Sequence, residues 1–141
     1  MATIASDKMV LVDTSVWIDY FRKNEEVYDK LNRLIDQGRV CCARLIVAEL
    51  IQGAKERKEV EVIKNLLDVF PILEEREDTW FRAGVLSYNI RRKGKEVGLA
   101  DCYLAIMATD SKSVVCTFDQ HFKVITKFLP KMRLKETLVS G

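Results

Sequence analysis

Two short apolar runs, far apart in the chain, each lead into an aspartate, and they constrain the fold more than any other feature. Met9-Val10-Leu11-Val12 runs directly into Asp13, and Val114-Val115-Cys116-Thr117 is followed two residues later by Asp119. Short runs apolar at nearly every position suit strands buried on both faces. Similar short runs lie over 40–43 and 69–73, the second carrying Pro71, which favours a sheet edge. A weak further strand is expected near 132–134.

Between these runs the apolar spacing turns helical. It predicts helices over 14–21, 25–36, 45–53, 60–67, 78–92, 101–109 and 122–128. Asp13-Thr14-Ser15 offers capping side chains to the first helix, and Gln37-Gly38 stops the second. Strands alternating with helices imply an α/β fold: a three-layer α/β/α sandwich around a four- to five-stranded parallel sheet. No linker, repeat or low-complexity segment divides the chain, so one domain over 1–141 is expected, with its core at about 9–135. In such sheets ligands bind beyond the carboxyl ends of the strands, which puts Asp13 and Asp119 on one rim.

Two more acids interrupt apolar helical stretches. Glu49 lies within Leu45-Ile46-Val47-Ala48-Glu49-Leu50-Ile51, and Asp101 opens Asp101-Cys102-Tyr103-Leu104-Ala105-Ile106. A carboxylate in such surroundings is costly to desolvate. Singly, each has a plain explanation. Asp13 and Asp101 can cap helices for about 1 kcal/mol each, Asp119 can serve a turn, and Glu49 can face water. Taken together they matter more, because two carboxylates about 4 Å apart repel by roughly 4 kcal/mol at an effective dielectric near 20. If the four converge, a proton or a hard cation must relieve them, and oxygen ligands favour magnesium or manganese over zinc.

The net charge is only +2, so nothing global demands a polyanionic partner. The cations are nevertheless clustered, with Arg91, Arg92, Lys93 and Lys95 in one run and Lys123, Lys127, Lys131, Arg133 and Lys135 late in the chain. An acidic pocket with a basic surround suits phosphate substrates. The 91–95 run reads equally as a solvated helix end whose cations meet the helix dipole. Cys41, Cys42, Cys102 and Cys116 all lie in apolar runs without Cys-x-x-Cys spacing, which points to buried thiols in a reducing compartment. No signal peptide or membrane-spanning run is evident, so the expected address is the cytoplasm, with no membrane partner.

At the acidic positions the chain resembles the PIN-domain ribonucleases, and within them the VapC-type toxins of bacterial type II toxin–antitoxin pairs. The signatures are Val12-Asp13-Thr14-Ser15-Val16-Trp17-Ile18-Asp19, Ala48-Glu49-Leu50-Ile51-Gln52-Gly53, Gly98-Leu99-Ala100-Asp101 and Thr117-Phe118-Asp119-Gln120-His121-Phe122. The resemblance implies a Mg²⁺- or Mn²⁺-dependent endoribonuclease using one or two ions and leaving 5′-phosphate and 3′-hydroxyl ends. Asp13, Glu49, Asp101 and Asp119 would be its catalytic, metal-holding quartet. Thr14 or Ser15 would hydrogen-bond within the site and Thr117 would orient Asp119, while Arg91, Arg92, Lys93 and Lys95 would grip RNA. Many relatives have a second aspartate where this chain has His121, so His121 reads as a surface or rim residue and no fifth acidic ligand is assigned.

The resemblance further implies an RNA substrate, with transfer RNA among the candidates, a homodimer, and a cognate VapB-type antitoxin that blocks the acidic groove. Trp17, Tyr20, Phe21, Trp80 and Phe81 are candidate aromatic anchors for those contacts, with core packing the plainer role for each. A stand-alone RNA-processing nuclease and a non-catalytic PIN-like module remain alternatives. A phosphohydrolase of the haloacid dehalogenase type would want Asp-x-Asp where this chain has Asp13-Thr14-Ser15. A receiver-like phosphoacceptor would want paired acids before the first strand's aspartate, and no such pair can be placed.

Overall fold

The computed structural model describes residues 8–135. Its elements in chain order are β1 (Val10–Val12), α1 (Thr14–Phe21), α2 (Glu25–Asp36), β2 (Val40–Cys41), α3 (Arg44–Gln52), α4 (Arg57–Leu67), α5 (Thr79–Arg92), α6 (Leu99–Ser111), β3 (Val114–Cys116), α7 (His121–Thr126) and β4 (Arg133–Leu134). The four strands form one sheet in the order β2-β1-β3-β4, and all three pairings are parallel. The chain leaves β1 toward β2 and later returns to β3 on the other side of β1. The connection therefore reverses direction between β1 and β3, and a crevice opens at their carboxyl ends.

Most of the expected elements are present, with their bounds shifted in places. The run over 69–73 does not form a strand. Pro71 and Leu73 reach β2's end only through a single parallel bridge between Cys42 and Ile72. Proline has no amide hydrogen to extend a ladder, so pairing stops at the sheet edge. Helix α4 begins at Arg57 rather than 60, because the Glu59 carboxylate accepts from the amides of Lys55 and Glu56 and satisfies that end. Helix α6 begins at Leu99 and runs to Ser111, two residues beyond the expectation at each end.

The sheet is dry on both sides: Val10, Leu11 and Val12 are at most 1% exposed. Helix α6 is buried almost all round, with Cys102 through Ala108 inaccessible. Trp17 and Tyr20 belong to the core, where Trp17 meets Tyr20 edge-on and packs against Phe70. They are therefore unavailable as partner anchors. Phe21 is partly buried, Trp80 is half-exposed over Tyr103, and only Phe81 stands largely in solvent. All four cysteines are free and buried, as expected of small apolar side chains. Among the described residues no helix is long and apolar enough to cross a membrane.

Helices α5 and α6 pack along their lengths and are fastened by a charged clamp. Arg82 donates two hydrogen bonds, of 2.7 and 2.9 Å, to the Asp110 carboxylate, which is 15% exposed. Arg76 adds a contact at 3.6 Å. The Arg82 guanidinium holds the Asp110 carboxyl below the usual carboxylate range, so its stabilisation is present above that range and fades as pH falls through it. Arg82→Met should lower unfolding stability by about 1–3 kcal/mol at neutral pH, and the deficit should shrink in acid. Denaturant titrations at two pH values check both.

Candidate active site

The crevice at the carboxyl ends of β1 and β3 is built around Asp13, which is 6% exposed. Parallel pairing continues one step past the strands, where the Asp13 amide donates to the Cys116 carbonyl at 2.9 Å. That pairing brings Thr117 beside Asp13, and the threonine hydroxyl donates to Asp13 Oδ2 at 2.8 Å. Ser15 donates to the same oxygen at 3.1 Å while accepting from the Phe118 amide at 3.0 Å. Thr117 Oγ1 in turn accepts from the Asp119 amide at 2.9 Å. Thr117 and Ser15 thus tie the loop bearing Asp119 to the start of α1.

Asp13 occupies the residue position that caps α1, but its carboxylate makes no bond to the helix amides. Two hydroxyls from other positions hold it instead, so capping does not explain its side chain. Nor does Asp101 cap α6, since Gly98 holds that position and Asp101 sits in the first turn. Asp119 does make the expected local turn, accepting from the His121 amide at 2.9 Å. Glu49, in the second turn of α3, is partly exposed and accepts from the Thr14 hydroxyl at 2.6 Å. It thereby joins the same rim through the residue next to Asp13.

Asp101, Asp119 and His121 present ligand atoms that all lie within 4.8 Å of one another. The His121 Nδ1 lies 3.1 Å from Asp119 and 3.4 Å from Asp101. Its side chain is 53% exposed, as a rim residue should be, but it touches two of the four acids. In the sequence His121 reads only as a surface or rim residue. The available signal was its position at the start of the helix that follows Asp119, where the first turn faces the same crevice. The cations of the 91–95 run are exposed at the end of α5 and in the loop leading to Gly98.

The acids strain one another. Burial pushes the Asp101 carboxyl up to about 6, with Asp119 and Asp13 pushing the same way and His121 pulling it back. The donor set fits a hard divalent cation: carboxylate oxygens dominate it, one acid is held against its preference for charge, and the hydroxyls already orient Asp13. Beside the crevice an open groove of about 570 Å³ runs between α1, α3 and α4, with Ile18, Phe21, Leu50, Val62 and Ile63 among its apolar walls and Glu49 on its lining.

A raised carboxyl pKa means that the folded chain binds a proton between about 4 and 6 that the unfolded chain does not, so stability falls as pH rises through that window. Asp101→Asn should therefore raise the Tm of metal-free protein at neutral pH, and the gain should vanish below about pH 4. Thermal melts in chelator across that range test the sign, and an equal gain at both ends would show that the cost of ionising Asp101 is not the cause.

A family model of the PIN domain matches residues 10–127. Ribonuclease VapC11 of Mycobacterium tuberculosis is 27% identical over 124 residues, covering 84% of this chain and 92% of the relative. Ribonuclease VapC1 of Methanocaldococcus jannaschii is also 27% identical, over 123 residues, covering 86% and 85% respectively. Among solved structures, DNA-bound VapBC from Salmonella typhimurium aligns with a TM-score of 0.74 at 23% identity, covering 94% of this chain and 99% of that one. VapBC2 from Rickettsia felis, bound to a promoter fragment, aligns with a TM-score of 0.72 at 19% identity, covering 90% and 97%.

Proposed function

This chain belongs to the PIN-domain family, and we propose that it is a VapC-type endoribonuclease that hydrolyses RNA phosphodiester bonds with Mg²⁺ or Mn²⁺. The observation that carries the reading is the gathering of Asp13, Asp101 and Asp119 in one crevice, close enough that the first and last raise the Asp101 carboxyl. Curated relatives named as ribonucleases support the reaction class.

In this reading Asp13, Asp101 and Asp119 would hold the cation, and Glu49, bonded to the Thr14 hydroxyl, would complete the quartet. When bound, the cation would lower the pKa of water and neutralise charge on the phosphoryl oxygens. The chain's own residues do the rest. Ser15 and Thr117 keep the Asp13 carboxylate aimed, since each donates to Oδ2. Thr14 fixes the Glu49 carboxylate, and His121 stands beside Asp101 and Asp119 at the mouth, where it can orient the substrate. Arg91 and Arg92 in the last turn of α5, with Lys93 and Lys95 just beyond it, are all exposed, and we assign this run to the RNA backbone.

The partner we assign is a small VapB-type antitoxin, since the structural neighbours are VapBC complexes, and the groove alongside Glu49 is its seat. The four unpaired thiols suit a reducing cytoplasm.

The test is cleavage of a mixed RNA population by purified chain with Mn²⁺ or Mg²⁺. Excess chelator should abolish it, and Asp13→Asn or Asp101→Asn should lower kcat/KM by about 100-fold or more while the fold persists. Lys93→Ala with Lys95→Ala should raise KM and flatten its salt dependence, with kcat little changed. Cleavage that survives chelation, or a phosphomonoesterase activity in its place, overturns the proposal. Copurification with a small inhibitory protein separates a toxin from a stand-alone processing nuclease.

A further inference from the structure

Asp101, Asp119 and His121 are the one set of three ligand-type side chains among the described residues whose atoms all come within 4.8 Å of one another. Two are carboxylates, and the third is the only histidine of the chain. Its Nδ1 lies 3.1 Å from Asp119 Oδ1 and 3.4 Å from Asp101 Oδ2. Ligands on adjacent corners of an octahedral cation, at bond lengths of about 2.1 Å, stand about 3 Å apart. The imidazole therefore keeps the spacing of a group that shares an ion with both acids.

That position is built into the backbone. The His121 amide donates to the same Asp119 oxygen at 2.9 Å, which ties the residue to the loop bearing that acid. Phe122 and Ile125, both fully buried, seat α7 in the core beside it.

The donor type sets which ion such a site prefers. Mg²⁺ takes oxygen ligands and gives up its water reluctantly, so an imidazole adds little to its binding. First-row transition ions accept imidazole nitrogen readily, and their affinity for it rises from Mn²⁺ through Co²⁺. A site of carboxylates alone separates Mg²⁺ from Mn²⁺ weakly, and one nitrogen among the oxygens tilts the balance.

We propose that His121 is a ligand of the active-site cation and makes the site select Mn²⁺ over Mg²⁺. The inference rests on the metal-dependent reading above and gives His121 a nearer task than orienting the substrate. Asp101 and Asp119 then supply charge to the ion, and His121 supplies discrimination.

The test is calorimetric titration of the full, untagged chain with Mn²⁺ and with Mg²⁺ in the absence of RNA, joined to pulsed electron paramagnetic resonance of the Mn²⁺-loaded chain. Circular dichroism confirms that each variant folds. Wild type should bind Mn²⁺ about 10-fold or more tighter than Mg²⁺. It should also show imidazole nitrogen-14 modulation, which in a chain with one histidine comes from His121. His121→Ala should lose the modulation and about 10-fold in Mn²⁺ affinity, while Mg²⁺ affinity moves by less than about 3-fold. His121→Asp should lose the modulation yet hold both ions, with the preference for Mn²⁺ shrinking toward parity. Mn²⁺ bound without nitrogen modulation, or a preference for Mn²⁺ that both variants retain, overturns the proposal and leaves the nuclease reading standing. Wild type that binds neither ion overturns both.

Discussion

Parallel pairing of β1 with β3 carries the site, because it places Thr117 within hydrogen-bond reach of Asp13, a residue 104 positions earlier in the chain. The strands themselves are only three residues long, and their register is held by burial on both faces rather than by length. One further backbone bond, from Asp13 to Cys116, extends that register to the point where the side chains turn toward the crevice. A slip of one residue would reverse every side chain and separate the threonine from the aspartate. The hydroxyls of Ser15 and Thr117 then convert strand register into a fixed carboxylate orientation.

Against this fixed pair stands α6, which brings Asp101 into the crevice on a helix too thoroughly buried to move. The tension is electrostatic: two neighbouring acids and partial burial oppose ionisation of Asp101. A domain of this size has a total stability of roughly 5–15 kcal/mol, so such repulsion is tolerated only where something binds to relieve it. His121 supplies part of that relief from the rim, and a divalent cation would supply more. The hydrogen bonds and the repulsion thus act in opposite senses on one small group of oxygens, an arrangement of stored strain that suits a binding site.

Helix α5 has two sides of different character. Ala83, Leu86 and Ile90 are buried on its inner side, and Arg82 reaches Asp110 on α6, so the helix braces the element that delivers Asp101. Its outer side carries an exposed stripe of Phe81, Val85 and Tyr88 and ends in the cations beside Gly98. The bracing residues and the exposed stripe lie on opposite faces of one amphipathic cylinder.

The amino-acid sequence by itself determined the alternation of elements and the parallel sheet, because short apolar runs and helical spacing are local properties. It also determined which cysteines would be buried. It could not decide whether the run over 69–73 pairs as a strand, since that depends on what lies beside the sheet edge and on the amide missing at Pro71. It gave no place to His121 among the acids, since a lone histidine at a helix start carries no local mark of its neighbours. Nor could it separate capping from convergence at Asp13 and Asp101, whose residue types serve both ends equally well. Only the tertiary structure decided those points, because side chains from positions 13, 101, 117 and 121 meet through strand pairing and helix packing, and distances between remote positions are not written in any local pattern.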